Sequence, residues 1–166
     1  MDTVQNQVWG PALWLLLHSS AERIGIASLK RLPHEESRLW SQLLQSLRFS
    51  LPCPQCKRHY QLFLSAHPPP IPSASAAPSL LRRDEIRTWL YRLHTAVNDR
   101  MGKGGAHGLS LSEVEERYSQ PFCFSAHLQT VAHHMRASIQ RGGCRREDVV
   151  QTLRYAEEMK RFYDFF

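Results

Sequence analysis

Apolar side chains recur at helical spacing along nearly the whole chain, and no stretch alternates convincingly with a period of two. With no strand candidates, burial has to be helix on helix. The first amphipathic stretch is expected over about residues 11–26, with Pro11 in its first turn and Leu13, Trp14, Leu17, Ala21 and Ile24 as its buried stripe. A second covers about 34–49, with Leu39, Trp40, Leu43, Leu44 and Leu47 on one face. Pro52 closes that segment, and a short third helix is expected from 54 to about 66.

A fourth helix is expected over about 82–101, where Ile86, Trp89, Leu90, Leu93 and Val97 fall at i, i+3, i+4, i+7 and i+11. Gly102-Lys103-Gly104-Gly105 ends it. Ser110 or Ser112 then caps a short helix through Tyr118, Ser112-Glu113-Val114-Glu115 having the form of a capping box. Beyond Pro121 lie two more amphipathic segments separated by Gly142-Gly143. One carries Leu128, Val131, Ala132, Met135 and Ile139; the other, about 147–163, carries Val150, Leu153, Met159 and Phe162. Residues 67–79 hold Pro68, Pro69, Pro70, Pro72 and Pro78 among Ser and Ala, and read as an exposed loop. The expected class is all-α, a compact bundle with a helical C-terminal extension.

At 166 residues, 42% of them apolar, the chain is one domain by length and able to bury a real core. The net charge of +6 is spread among acids, as in Arg145-Arg146-Glu147-Asp148, with no run of like charge. A mixed solvated surface is the reading, with no nucleic-acid footprint. Residues 1–9 are polar and lack the basic start and apolar run of a secretory signal, and Ala12 to Leu17 is too short to span a bilayer. The expected place is the cytoplasm, with no membrane partner. There a CxxC is more often catalytic or metal-binding than a structural staple.

Cys53-Pro54-Gln55-Cys56 is that motif. A cysteine just before Pro54 stands where a helix begins, so free N–H groups and the macrodipole would favour its thiolate, the form that attacks a disulfide or a flavin. Two intervening residues let both sulfurs meet across one turn. Zinc is the alternative, because His59 is near and His67 completes C-x2-C-x10-H, yet a structural site needs a second pair of ligands. That alternative makes the chain a helical interaction module with a basic surface. A thioredoxin-like unit would need strands around the motif.

Three further clusters bear on the choice. Gly10, Trp14 and His18 recur every four residues on the first helix; His94, Val97 and Asn98 fall at i, i+3 and i+4 on the fourth; Lys103 follows its end. Each alone reads as core packing. Together, G-x3-W-x3-H, PCxxC and H-x2-VN with a following GK resemble the Erv/ALR family of FAD-linked sulfhydryl oxidases, over about residues 8–118. Members from large cytoplasmic DNA viruses look similar, so a viral source is expected.

The resemblance implies a four-helix bundle plus a short fifth helix over residues 1–118, with 119–166 as a helical extension that has no assigned counterpart. It implies FAD beside the CxxC, oxidation of protein thiols to disulfides, and O2 reduced to hydrogen peroxide. Cys56 would adjoin the flavin, and Cys53 would be the outer, accessible sulfur that exchanges with reduced protein thiols. Gly10, Trp14, His18, His94, Val97 and Asn98 would line the cofactor, Lys103 would lie near its phosphates, and Tyr118 stands where the family has an adenine-packing Trp. A homodimer through the first two helices is implied as well. Two departures stand out: Thr95 replaces Asn in the HNxVN motif, and no Cys occurs at 106–108 to start the family's second pair. Cys123 and Cys144 are the remaining cysteines, expected as free thiols, a staple, a dimer cross-link or a shuttle pair, with Gly142-Gly143 as a hinge.

Overall fold

A computed structural model of the chain describes residues 2–26, 33–73, 81–102 and 108–166. The described residues form seven α-helices and no strand: α1 (Asp2–Ala21), α2 (Pro33–Ser50), α3 (Pro54–Ala66), α4 (Arg83–Arg100), α5 (Leu111–Tyr118), α6 (Phe124–Gln140) and α7 (Arg146–Phe162). The all-helical expectation holds.

Helix α1 departs from its expected bounds. It starts at Asp2, so Pro11 lies inside it and not in its first turn. Proline lacks the N–H that would have bonded the carbonyl of Gln7. Both residues are exposed, so water can satisfy that carbonyl. The single buried stripe also proves too narrow, because Leu16, Leu17, His18, Ser19, Ser20 and Ala21 are all buried. The cause is position: α1 is the central helix, with α6 along one side and α4 and α5 on another.

The remaining helices follow their periodicity closely. Ser110, not Ser112, caps α5: its hydroxyl accepts from the Glu113 amide, and Glu113 accepts from the Ser110 amide in return. Gly102 follows the end of α4 with φ 71°, a conformation that favours glycine. On α7, Val150 is 58% exposed and Val149 takes the core position at 1%. The stripe of α7 runs through Val149, Thr152, Ala156 and Met159, and Thr152 is buried because its hydroxyl donates to Ser50 Oγ at 2.7 Å. Residues 68–73 carry no helix, and Ile71 is half-buried against the core; 74–80 lie outside the described residues.

Helices α6 and α7 do not stand apart from the bundle. Helix α6 packs along α1 and α7 along α2, and the two pack on each other. Phe124, Met135 and Met159 join Leu17, Trp40 and Leu44 in one hydrophobic cluster. A buried polar chain ties the layers: Trp40 Nε1 donates to Tyr163 Oη at 2.9 Å, which donates to Glu36 Oε1 at 2.6 Å.

The α6–α7 turn is closed by two amides, Gly143 to the Ser138 carbonyl and Gly142 to the Ile139 carbonyl, with Gly142 at φ 75°. The turn then docks on the segment before α3. Ser138 Oγ donates to the Pro52 carbonyl at 3.3 Å, Cys144 Sγ donates to the Leu51 carbonyl at 3.4 Å, and the Lys57 ammonium donates to the Gly143 carbonyl. A turn bonded in this way is not the free hinge that its two glycines suggest.

Candidate functional site

Helix α3 begins at its chemistry. Cys53 is the N-cap with extended backbone (φ −102°, ψ 121°), and Pro54 takes the first turn, where a missing N–H costs nothing. The Cys56 amide donates to Cys53 Sγ at 3.2 Å, which draws both thiols into one turn. No disulfide links the four cysteines. Asn6 on α1 approaches from the other side, its Nδ2 4.0 Å from Cys56 Sγ.

Burial pushes the Cys56 thiol up to about 12, helped by the hydrogen bond and charge of Cys53 and opposed by the Arg100 guanidinium. In the reduced pair, Cys56 therefore keeps its proton at neutral pH. Cys53 is not the accessible sulfur expected from the sequence: it is 7% exposed, while Cys56 is half-buried. The reason is the α6–α7 turn, which covers Leu51 and Pro52 on one side of Cys53 and holds Lys57 on the other.

Both cysteines open onto a cavity of about 830 Å3 among α1, α3 and α4, rimmed by α5 and α6. Gly10, Trp14, His94, Val97, Asn98 and Tyr118 all line it, as the resemblance implies. His18 does not reach the wall. It stands behind His94, sharing an imidazole N–H across 3.1 Å, and it stacks on Tyr118 at 4.5 Å between ring centres. His94 in turn stacks on Trp14 at 3.9 Å. His18 is therefore a positioning residue for two wall side chains. Lys103 lies outside the described residues. Thr95 turns away from the site, its hydroxyl donating to the Tyr91 carbonyl at 2.8 Å.

Several wall residues escape the motif reading. Trp9 and Asn6 are missed because α1 was expected to start at 11; extended back, Asn6, Gly10 and Trp14 share one face at four-residue spacing. Arg100, Arg117, His127 and Thr130 also line the cavity, and nothing local in the sequence marks them.

The wall fits FAD, the cofactor that the resemblance implies. The volume falls in the range of about 300–1,000 Å3 usual for small-molecule sites. A Cβ built on Gly10 meets nothing within 4 Å, so the α1 backbone faces open space there. The walls are aromatic (Trp9, Trp14, Tyr60, Phe63, Tyr118), and polar groups on Asn98, Arg100 and Arg117 are spaced among them. The zinc alternative finds no ligand set: among the described residues no group of three His, Cys, Asp or Glu could hold a metal ion.

The two remaining cysteines are not brought together. Cys123 caps the start of α6, and Cys144 lies just past its end, beyond 17 helical residues or about 25 Å. A disulfide needs Cα atoms within about 7 Å, so neither a staple nor a shuttle pair forms in this arrangement. Cys144 alone stands beside the segment that leads into Cys53.

Comparison with known proteins agrees with this geometry. Residues 11–119 match the model of the Erv1 / Alr family. Over 95 residues the chain is 28% identical to "Putative FAD-linked sulfhydryl oxidase 088R" of Frog virus 3 (isolate Goorha), covering 57% of this chain and 57% of that protein. The chain thus spans little more than half the length of that relative. No solved structure matches.

Proposed function

Because this chain belongs to the Erv1/Alr family, we propose that it is an FAD-linked sulfhydryl oxidase that makes disulfides in protein substrates at Cys53 and Cys56. The observation that carries this reading is the redox pair opening directly onto an aromatic-walled cavity of cofactor size. FAD, when bound, supplies the two-electron step between a dithiol and dioxygen, which no side chain performs alone.

The protein's own part is thiol exchange. A substrate thiolate attacks one sulfur of the oxidised Cys53–Cys56 pair, forming a mixed disulfide and releasing the other. The second substrate thiolate then attacks its partner sulfur, closing the substrate disulfide and releasing the remaining cysteine. Two substrate thiols thereby lose two electrons and two protons, which reach O2 as hydrogen peroxide over the full cycle. Asn6 and Arg100 flank Cys56 and ease the charge on its sulfur, against the burial that raises its proton affinity. Trp14, Val97 and Asn98 would hold the cofactor, with His94 oriented by His18. The partners of this reading are reduced protein thiols and O2.

The purified chain should be yellow, carry about one FAD per chain on extraction, and consume O2 with reduced protein as donor. A colourless chain that takes up no added FAD and consumes no O2 would overturn the reading.

A further inference from the structure

Two side chains on the cavity wall come from outside the segment that matches the family. That segment ends at residue 119, whereas His127 and Thr130 stand on α6. They line the same cavity as Cys56. Three residues apart, they share one flank of the helix, and both are half-buried. Phe124, Leu128 and Val131 are buried on the neighbouring face, whereas Gln129 is exposed.

The direction of α6 decides which part of the cavity they meet. Arg23, just past α1, donates to the Tyr118 carbonyl at 2.7 Å and lies over Phe165, which stacks on Phe124 at the start of α6. The far end of α6 reaches Pro52 through Ser138. Helix α6 therefore runs antiparallel to α1. Along α1, Asn6 meets Cys56 while His18 meets Tyr118, so these ends of the site are about 18 Å apart at about 1.5 Å per residue. His127 and Thr130, in the first half of α6, belong to the Tyr118 end, away from the sulfurs.

That end offers an imidazole, a hydroxyl and the Arg117 guanidinium beside an aromatic ring. We infer that His127 and Thr130 contact the phosphate and ribose oxygens at the end of the cofactor remote from the sulfurs, so that the C-terminal extension is a working wall of the cofactor site. This rests on the FAD reading above. A ring nitrogen donates to such oxygens directly, and the Thr130 hydroxyl, which donates to the Ala126 carbonyl at 3.3 Å, exchanges that long bond within its own helix for one to the cofactor.

The test is FAD titration of the full-length, deflavinated chain, followed by flavin fluorescence. His127→Ala/Thr130→Ala should bind FAD roughly tenfold more weakly than the unaltered chain, at the scale of two hydrogen bonds. Gln129→Ala, on the exposed side of the same helix, should keep full affinity. Thr130→Val keeps the shape of the side chain and removes only the hydroxyl, so it should lose part of the affinity with an unchanged melting temperature of the flavin-free form. Full affinity in the double variant overturns the inference while leaving the oxidase reading intact. An equal loss in Gln129→Ala also overturns it, since the effect is then packing. If the unaltered chain binds no FAD, the oxidase reading itself fails and this inference with it.

Discussion

The hydroxyl of Ser138 on α6 donates to the carbonyl of Pro52, the residue before Cys53, at 3.3 Å, and stands 3.2 Å from Cys144 Sγ. A Cβ on Gly143 would come within 2.6 Å of that same hydroxyl. Gly143→Ala should therefore cost about 1–2 kcal/mol, by pushing Ser138 off its partners. Ser138→Ala should cost about 1–2 kcal/mol, by leaving the buried Pro52 carbonyl unmet. The double variant should cost clearly less than the sum, because the methyl meets no hydroxyl. Denaturant melts of the four chains measure this, and strict additivity would show that the contact carries no energy.

Cys53→Ser and Cys56→Ser should each abolish O2 consumption with dithiothreitol while retaining bound FAD, since a thiol is lost but the cavity walls remain. Oxygen uptake and flavin-to-protein absorbance ratio are the readouts. Normal turnover by either variant would remove that sulfur from the mechanism.

Cys56 of the reduced, flavin-free chain should ionise only near pH 12, above its ordinary value of 9.0, with burial the main cause. Arg100 opposes that shift, so Arg100→Gln should move the ionisation higher still. The sign for stability follows. The folded chain holds this proton more tightly than the unfolded chain, so the contribution is present below about pH 9 and is lost as pH rises towards about 12. Alkylation of Cys56 against pH, read by mass spectrometry, checks it; ionisation below pH 9 would contradict the buried placement.

Arg87 grips Glu22 through two bonds of 2.7 and 2.8 Å, and Glu22 is 5% exposed. Arg87 also reaches Glu115 on α5 at 3.2 Å. Arg87→Ala should cost about 3 kcal/mol by stranding a buried carboxylate. Arg87→Lys should recover little, because an ammonium cannot make the planar double contact. Urea melts decide this, and a loss under about 1 kcal/mol would show that Glu22 finds another partner.

Helices α6 and α7 of the same chain pack along α1 and α2, the two helices through which the resemblance implies a dimer. Sedimentation equilibrium should therefore give a single 19.2 kDa species at micromolar concentration. A stable species of twice that mass would mean that α6 and α7 leave those two helices.

Much of the secondary structure was legible because its causes are local. Cys53-Pro54 starts α3, and Gly102 and Gly142 follow the ends of α4 and α6, each through contacts within a few residues; the capping box of α5 reads as Ser112 with Glu115 but forms at Ser110 with Glu113. Trp14, His94, Asn98 and Cys56 line the cavity as the family resemblance implies; helical spacing alone reads them as core packing, and His18, on the same repeat as Trp14, stays behind the wall. The start of α1 was not, because Pro11 reads as a beginning, and only the exposure of Gln7 and Pro11 makes a mid-helix proline tolerable.

What the sequence by itself determined is a set of helices, most of their ends and the spacing of Cys53 and Cys56, all matters of short-range geometry. Tertiary structure decided which faces meet. It made α1 central and buried its last turns, residues 16–21, on all sides, and it moved the core position of α7 from Val150 to Val149. It drew the α6–α7 turn over the residues flanking Cys53, so that a sulfur expected to be open is 7% exposed. It also carried His127 and Thr130 into a cavity whose other walls lie up to 124 positions earlier in the chain, as Asn6 does from Thr130 (130 − 6). Periodicity along one helix tells which side of it is apolar, but holds no information about which other helix will cover that side.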